Sequence, residues 1–289
     1  MANIKYNPYL AQLFSGSIIS ELASEGVSNR FREVVSSSGV LNFRKMGMTY
    51  RSIFNEVYSY LRKSYRIEYF YKNTIAKELL LKRHSLRDAS MLSEFRVGMS
   101  KADVVILNGT TTAYEIKTDY DDLDRLNAQL TDYTRVFDDV YVVSSQKMLE
   151  NVLKEVSVDI GVIVLTDKDE IFEVRKSMSH KSRINSDLVI DSLRKPEVEK
   201  IIKDCFGQSL MVPNTKFYST ARILLQEIPS QLLHEKMLGV LRSRADKVIS
   251  DRFVGRLPQC LKFAGLTTGL NEVEQDSFGN VLQLKFQPS

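Results

Sequence analysis

The sequence predicts an α/β fold in which a mixed β-sheet is flanked by helices and continued by helical N- and C-terminal extensions. Short apolar, β-branched runs are concentrated between residues 94 and 174, and such runs favour strands. On both sides of this region the apolar residues recur at helical spacing. Within it, the order helix, three strands, helix, strand is typical of a sheet covered by helices.

The N-terminal region, residues 1–65, is predicted to be helical, and its most regular apolar spacing lies in Thr49–Lys63. A further helix is expected at Glu68–Arg83. This helix opens the predicted central region, residues 66–180, which is expected to contain the sheet and the functional site.

The central region is predicted to contain six strands and two further helices. Asn108-Gly109 separates the second strand from the third and is a strong hairpin signal. The strands are expected at Glu94–Val97, Lys101–Leu107, Ala113–Thr118, Val140–Ser144, Ile160–Leu165 and Ile171–Val174, and the helices at Asp121–Phe137 and Met148–Val156.

The C-terminal region, residues 181–289, is predicted to be mostly helical, with boundaries marked by Pro213 and Pro229. A weak alternation at Asn280–Phe286 predicts one late strand. The helices are expected at Asp187–Ser192, Pro196–Cys205, Thr215–Gln226 and Ser230–Ile249.

The composition limits the class of protein. With 289 residues, 43% of them hydrophobic, the chain can bury a substantial core and is not predicted to be disordered. No apolar run approaches the roughly 18 residues of a membrane helix, and the N-terminus lacks the pattern of a secretory leader. Cys205 and Cys260 have no metal-like spacing and are predicted to be buried thiols. We therefore expect a cytoplasmic protein without a membrane partner.

The net charge of +4 is unevenly distributed. Residues 44–101 contain 13 Lys and Arg against 5 Asp and Glu, whereas residues 119–139 contain 7 Asp against 2 Arg. A basic flank beside an acidic centre suits an enzyme that acts on phosphodiesters. A solvated protein surface would explain the same pattern.

The residues most informative about function lie on the second and third predicted strands. Glu115 and Lys117 are two apart on one strand and therefore share a face. Asp103 and Glu115 are candidate ligands for Mg²⁺, which prefers carboxylate oxygens. The cation would activate a water and neutralise charge on phosphorus, while Lys117 would orient the water or stabilise the pentavalent state. As an alternative, the three residues could form an ordinary solvated cross-strand pair.

If Asp103 and Glu115 share a cation, the hairpin between them must have a particular geometry. A two-residue Asn108-Gly109 turn would pair Asp103 with Tyr114 and direct Asp103 to the face away from Glu115. We therefore expect a loop of odd length, Asn108–Thr110, or a bulge within a strand.

The helix predicted at Asp121–Phe137 carries a polar stripe beside its apolar one. Arg125, Gln129 and Tyr133 recur every four residues, so they share one side of the helix. We expect this side to point toward the acids, with Gln129 or Tyr133 within hydrogen-bonding distance of them. The alternative is a helix face that bonds only to solvent.

These elements together resemble the PD-(D/E)XK nuclease superfamily. An Asp-bearing strand, a hairpin, a strand ending in E-x-K and a helix with Q-x-x-x-Y follow one another between about Ile67 and Val143. The Q-x-x-x-Y element is similar to that of the RecB-like branch, and the chain resembles an uncharacterised bacterial subfamily. Ala102 replaces the proline of the superfamily's name. The resemblance implies a restriction-endonuclease-like sheet, with catalytic residues Asp103, Glu115 and Lys117 supported by Gln129 and Tyr133.

The superfamily usually adds one acidic residue from a helix that precedes the first core strand. Glu68 is the preferred candidate. Glu78 is flanked by Lys77 and Lys82, which favour a surface ion pair. Glu94, on the first strand, is the third possibility.

The expected function is hydrolysis of phosphodiester bonds, in DNA rather than RNA, by a nuclease that uses Mg²⁺ or Mn²⁺. The residues predicted to contact the nucleic acid are Arg125, Lys72 and Lys101. The sequence is compatible with a homodimer. Because clustered carboxylates repel one another, both acids are expected to be dispensable for folding. The alternative function is a non-catalytic nucleic-acid-binding or partner-binding protein on the same fold.

Overall fold

The computed structural model describes residues 7–38, 47–245 and 249–287. The chain divides into two compact units, one formed by Met1–Leu86 with Lys247–Ser289 and the other by Arg87–Asp246. These units do not coincide with the three ranges predicted from the sequence. The helix that begins at Glu68 belongs with the terminal helices, and the helices up to Ala245 belong with the sheet.

The first unit begins with helices whose starts are fixed by hydroxyl side chains. Ser15, Ser28 and Thr49 each accept a hydrogen bond from a backbone amide of the helix that follows, as N-cap residues do. The next helix, Glu68–Ile75, has no such cap and continues into a π-helical turn at Ala76–Leu81. The helices are α1 (Asn7–Ala11), α2 (Gly16–Glu25), α3 (Asn29–Ser37), α4 (Tyr50–Ser64) and α5 (Glu68–Ile75).

The second unit is built on a six-stranded sheet in which the strands lie in chain order. The first three strands are antiparallel, the third, fourth and fifth are parallel, and the sixth is antiparallel to the fifth. The strands are β1 (Ser90–Val97), β2 (Ser100–Leu107), β3 (Thr111–Lys117), β4 (Asp139–Ser145), β5 (Gly161–Leu165) and β6 (Ile171–Arg175). The predicted class, a mixed sheet flanked by helices with helical termini, is confirmed.

Helices α6 (Leu126–Tyr133) and α7 (Leu149–Glu155) connect the parallel strands, since parallel neighbours require crossover connections. The first of them is shorter than the predicted Asp121–Phe137. The Asp121 carboxylate accepts hydrogen bonds of 2.7 Å from both the backbone amide and the hydroxyl of Thr118. A turn of this kind competes with a helical start, so α6 begins only at Leu126.

The remaining helices of the second unit pack on the same apolar core as α6 and β2–β5. Their buried members include Val189, Ile201, Phe217 and Met237. The helices are α8 (Ser186–Ser192), α9 (Lys195–Phe206), α10 (Asn214–Gln226) and α11 (Ser230–Ala245). They confirm the predicted helices, but the last one does not reach the predicted end at Ile249. Residues 246–248 lie outside the described residues, and Ile249 is not helical.

The late strand predicted at Asn280–Phe286 is wrong. Asn271 accepts a hydrogen bond from the Glu274 amide at 3.0 Å, and the Glu274 carboxylate accepts one from the Asn271 amide at 2.8 Å. This capping box starts a helix, which continues to Val281 and leaves a single bridge between Thr49 and Lys285. The helices here are α12 (Asp251–Arg256), α13 (Lys262–Thr267) and α14 (Glu272–Val281).

Membrane-crossing helices would need both length and a strongly apolar composition. Within residues 7–38, 47–245 and 249–287, no helix combines the two.

Gly161 is required by close packing inside the sheet, and we expect Gly161→Ala to be destabilising. A Cβ at Gly161 would lie 2.3 Å from the Tyr141 ring and 2.8 Å from the Ser177 backbone nitrogen. The Tyr141 ring stacks on Tyr114 at 5.6 Å, so it cannot move without breaking that contact. Overpacking of this kind costs about 1–3 kcal/mol, measurable by urea unfolding.

Gly239→Ala is the matched control. A Cβ at Gly239 meets no atom within 4 Å in the described part of the chain. Since Gly239 lies inside α11, alanine should stabilise that helix by up to about 1 kcal/mol. Equal effects of the two substitutions would contradict the packing argument.

Candidate metal-binding and catalytic site

The hairpin between β2 and β3 brings the two predicted metal ligands to the same side of the sheet. Leu107 pairs with Thr111, so the loop has three residues. Gly109 adopts a φ of 89°, a left-handed conformation that glycine accommodates without strain. The expected odd-length loop is thus confirmed. Continuing its register by one residue places Asp103 beside Glu115.

Asp103 is also tied to the backbone of β3. Its carboxylate Oδ2 accepts a hydrogen bond of 2.7 Å from the Ile116 backbone nitrogen. The last backbone pair between β2 and β3 is Val104 with Tyr114. Beyond that pair, the Asp103 side chain provides the next hydrogen bond between the two strands. The half-buried Asp103 carboxylate is therefore held beside Glu115.

Glu115 and Lys117 form a buried ion pair. Every residue of β3 is buried, and only 3% of Glu115 and 8% of Lys117 are exposed. The Lys117 Nζ lies 3.1 Å from the Glu115 Oε1. This burial excludes the solvated cross-strand pair that the sequence left open.

Helix α6 supplies the other polar contacts of the pair. The Tyr133 hydroxyl donates a 2.9 Å hydrogen bond to Glu115 Oε2, and Lys117 Nζ donates a 3.1 Å hydrogen bond to Gln129 Oε1. The predicted approach of Gln129 and Tyr133 to the acids is therefore confirmed. Arg125 does not continue the stripe on the helix, because it occupies the N-cap position before α6, where it is exposed.

The electrostatics of the site follow from its burial. Desolvation raises the pKa of Glu115, against the opposing effects of Lys117 and of hydrogen bonds from Tyr133 and Gln129. Burial, together with the nearby Glu115 carboxylate, raises the pKa of Tyr133 far above its ordinary value. Tyr133 therefore stays protonated and keeps donating to Glu115.

Glu94, the third candidate for the additional acid, lies on β1 next to Asp103 of β2. Carboxylate oxygens of these two residues are within 4.8 Å of each other. Glu94 has a φ of 54°, between the backbone pairs Ser93–Val104 and Phe95–Ala102, a conformation unfavourable for a residue with a Cβ. Within this unit, Glu94 is the acidic residue best placed to join Asp103 at a cation.

Lys101, predicted to contact nucleic acid, forms an ion pair with Glu94. Its side chain is 56% exposed, so the ammonium reaches solvent while it partly balances the acidic pair. The role predicted for Lys101 stays a prediction.

The other candidate residues lie on α5 and its π-helical extension, in the first unit. Glu68 is about half exposed and pairs with Lys72 at 2.5 Å. Lys72 itself is buried and lies over the Phe263 ring, which does not fit the predicted phosphate contact because a phosphate would have to reach a covered ammonium. Glu78 forms the expected surface ion pair with Lys82, at 2.9 Å.

Sequence reasoning missed Ser144, which the sheet places beside Lys117. Ser144 on β4 pairs in parallel with Lys117 on β3, so the two side chains share a face. Ser144 is 0% exposed, and its hydroxyl has no hydrogen-bond partner among the described residues. The sequence signal was only a serine near the end of an apolar strand, which gains meaning once the register is known.

Tyr133→Phe tests the hydrogen bond to Glu115. Because that bond favours the ionised carboxylate, its loss should move the raised pKa of Glu115 further upward. A hydrogen bond to a charged group is worth about 1.5–3 kcal/mol, or roughly one to two pH units. We therefore expect the midpoint of the pH dependence of Mn²⁺ binding, measured by calorimetry, to rise by about that amount.

Tyr141→Phe is the control for this measurement. The Tyr141 hydroxyl also donates to a carboxylate, that of Glu173 at 3.0 Å, but Tyr141 points to the other face of the sheet. Its substitution should leave the midpoint unchanged. An unchanged midpoint in Tyr133→Phe would show that the hydroxyl does not set the ionisation of Glu115.

Comparisons with known proteins place the chain in a phage protein family. A family model described as bacteriophage P4 protein cII matches residues 62–262. Protein cII of Enterobacteria phage P4 is 29% identical over 185 residues, which cover 62% of this chain and 68% of that protein. A solved protein of unknown function from Silicibacter pomeroyi is 15% identical, with a TM-score of 0.31 over 48% of this chain and 93% of its own. That score is too low to support a shared fold.

The names of these proteins specify no activity, so the resemblance to PD-(D/E)XK nucleases stays a prediction. The matched range includes Asp103, Glu115, Lys117, Gln129 and Tyr133. Since the family model spans well over half of the 289 residues, the chain belongs to the bacteriophage P4 protein cII family.

Proposed function

We propose that this protein is a divalent-cation-dependent nuclease that hydrolyses phosphodiester bonds, in DNA rather than RNA. One observation carries the proposal. The three-residue hairpin loop sets Asp103 beside Glu115, on the face that also carries Lys117. Two carboxylates and an ammonium are thereby held together on rigid strands, an arrangement suited to a cation and a phosphate.

The donor set fits Mg²⁺, with Mn²⁺ as a substitute. Asp103 and Glu115 offer hard carboxylate oxygens, and Glu94 lies close enough to Asp103 to add a third. When bound, the cation would lower the pKa of a water and offset the charge that develops on phosphorus.

The protein's own residues would orient these groups. Tyr133 fixes one oxygen of Glu115 and Gln129 holds the ammonium of Lys117, so both groups are kept in one geometry. Lys117 can then stabilise the negative charge of the transition state. Arg125, which is exposed at the start of α6, would contact the nucleic-acid backbone. We propose that the enzyme acts in the cytoplasm, as a monomer or as a homodimer.

The buried ion pair also favours a second function. Glu115 and Lys117 satisfy each other, with further hydrogen bonds from Tyr133 and to Gln129, so they could serve a purely structural role. In that case the protein would be a non-catalytic nucleic-acid-binding or partner-binding protein.

Incubation with nucleic acids separates the two functions. The purified full chain would be tested on supercoiled plasmid, linear duplex, single-stranded DNA and RNA, each with Mg²⁺, with Mn²⁺ and with EDTA. A nuclease should cleave at least one DNA substrate with either cation and none in EDTA. DNA binding without cleavage, seen by mobility shift, would favour the binding function.

A further inference from the structure

Ser144 presents an unpaired hydroxyl in the interior of the sheet. The residue is fully buried, and within the described part of the chain its Oγ has no hydrogen-bond partner. An unpaired buried hydroxyl lowers stability, and native proteins contain few of them. The hydroxyl would therefore gain a hydrogen bond in any state of the protein that brings a polar partner within reach.

The nearest polar side chain in the register is Lys117. Ser144 pairs with Lys117 on β3 and with Val164 on β5, and side chains at paired positions share a face. The Lys117 ammonium has three N–H donors. Two of them face Glu115 Oε1 and Gln129 Oε1, both at 3.1 Å, so one donor is left for a neighbouring acceptor.

A cation bound at Glu115 would compete with this ammonium. The ammonium and the cation both need the oxygens of the Glu115 carboxylate, and one of those oxygens already accepts from Tyr133. If the Lys117 ammonium loses its contact with Glu115, it stays buried with Gln129 as its acceptor. A buried ammonium with too few hydrogen bonds is unfavourable, so a second acceptor on the same face would stabilise the cation-bound state.

We propose that Ser144 is a positioning residue of the site, whose hydroxyl accepts a hydrogen bond from Lys117 when a divalent cation occupies Glu115. The inference rests on the proposed nuclease function. The Ser144 hydroxyl would lower the stability of the cation-free protein and raise the stability of the cation-bound protein.

Threonine and valine at position 144 provide a matched pair. They have the same shape, but Ser144→Thr keeps the hydroxyl and Ser144→Val lacks it. Ser144→Ala removes the hydroxyl without adding volume. Three quantities would be measured on each full-length variant: the Tm without cation, the increase in Tm on adding Mn²⁺, and the rate of plasmid cleavage.

Without cation, Ser144→Ala should have the wild-type Tm or a Tm raised by about 2–4 °C, since an unpaired hydroxyl is removed. With Mn²⁺, the Ala and Val variants should show a smaller rise in Tm than the wild type and the Thr variant. Their cleavage should be about tenfold slower, as expected for the loss of one hydrogen bond to a charged group.

Ser145→Ala is the control on the same strand. Ser145 points to the opposite face and its hydroxyl donates to Asp119. Its loss should lower the Tm, while the Mn²⁺-induced rise and the cleavage rate stay at wild-type values.

The results separate failure of this inference from failure of the proposed function. Equal Mn²⁺-induced rises and equal cleavage rates for Ser144→Thr and Ser144→Val would overturn the role of Ser144 alone. A Tm of Ser144→Ala below that of the wild type would also overturn it, because the hydroxyl would then be paired without the cation. A wild-type protein that neither cleaves nor responds to Mn²⁺ would remove the proposed function, and this inference with it.

Discussion

Glu115→Gln and Asp103→Asn are expected to abolish the proposed cation-dependent cleavage of plasmid DNA, and Lys117→Met is expected to lower its rate by about 10²-fold or more. The two acids are the proposed ligands, and an amide oxygen without charge binds Mg²⁺ far less well than a carboxylate does. Lys117 is not a ligand, so its removal withdraws charge stabilisation from the transition state. We therefore expect Lys117→Met to keep Mn²⁺ binding, whereas the two acid variants lose it.

The comparison requires variants purified in parallel, with nicking of supercoiled plasmid followed over time and Mn²⁺ binding measured by calorimetry. Glutamine and asparagine are chosen because they preserve the shapes of the acids. Each keeps an oxygen that can accept the existing hydrogen bond, from Tyr133 at position 115 and from the Ile116 backbone at position 103. Glu173→Gln on β6 is the control, since Glu173 is exposed and lies on the other face of the sheet. Wild-type cleavage by Glu115→Gln would point to a contaminating nuclease, and the catalytic assignment would be withdrawn.

The geometry of the hairpin could be predicted only on the condition that Asp103 and Glu115 share a cation, because Asn-Gly by itself favours a two-residue turn. Side chains on a strand alternate between faces, so the number of residues in the Asn108–Thr110 loop decides whether Asp103 and Glu115 meet. The spacing of Gln129 and Tyr133 is equally local, since residues four apart share a helix face. Apart from the assumed shared cation, both arguments needed only the positions of residues along the chain.

Features that depend on distant pairing could not be predicted. Ser144 is adjacent to Lys117 only through the parallel register of β3 and β4, which no local pattern determines. The grouping of α5 with the C-terminal helices rests on similar contacts. The Asn73 side chain donates to the Gln259 carbonyl at 2.9 Å and accepts from the Phe263 amide at 3.1 Å, nearly 190 residues along the chain.

The burial of Glu115 and Lys117 was not foreseen either, and it changes what the acids contribute to folding. The sequence predicts that both acids are dispensable for the fold. That expectation still suits Asp103, which is half-buried. It no longer suits Glu115, because removing that carboxylate leaves the ammonium of Lys117 in a site that is only 8% exposed. Stability is therefore the second property to test.

Glu115→Leu and Lys117→Met should each destabilise the protein by about 3–5 kcal/mol, because each leaves one buried charge without its partner. The double variant should be close to wild type or more stable, since an apolar pair of similar volume avoids the desolvation of both charges. Urea unfolding of the four proteins gives the coupling energy as a double-mutant cycle. Single-variant losses below about 1 kcal/mol would mean that water reaches the pair and screens it.

The pH dependence of the Lys117→Met variant gives an independent check on the same pair. Lys117 opposes the burial that raises the pKa of Glu115, so its loss should raise that pKa further. Between the pKa of Glu115 in the unfolded chain and its higher value in the folded protein, the folded state binds more protons. The free energy of unfolding therefore falls as the pH rises through this interval. Lys117→Met should accordingly regain part of its lost stability when the pH is lowered toward the ordinary pKa of glutamate, relative to the double variant.

The double variant has neither charge, so its unfolding free energy provides the baseline at each pH. A constant difference between the two proteins across this range would show that Glu115 does not take up a proton when its partner is removed, and that the carboxylate is hydrated.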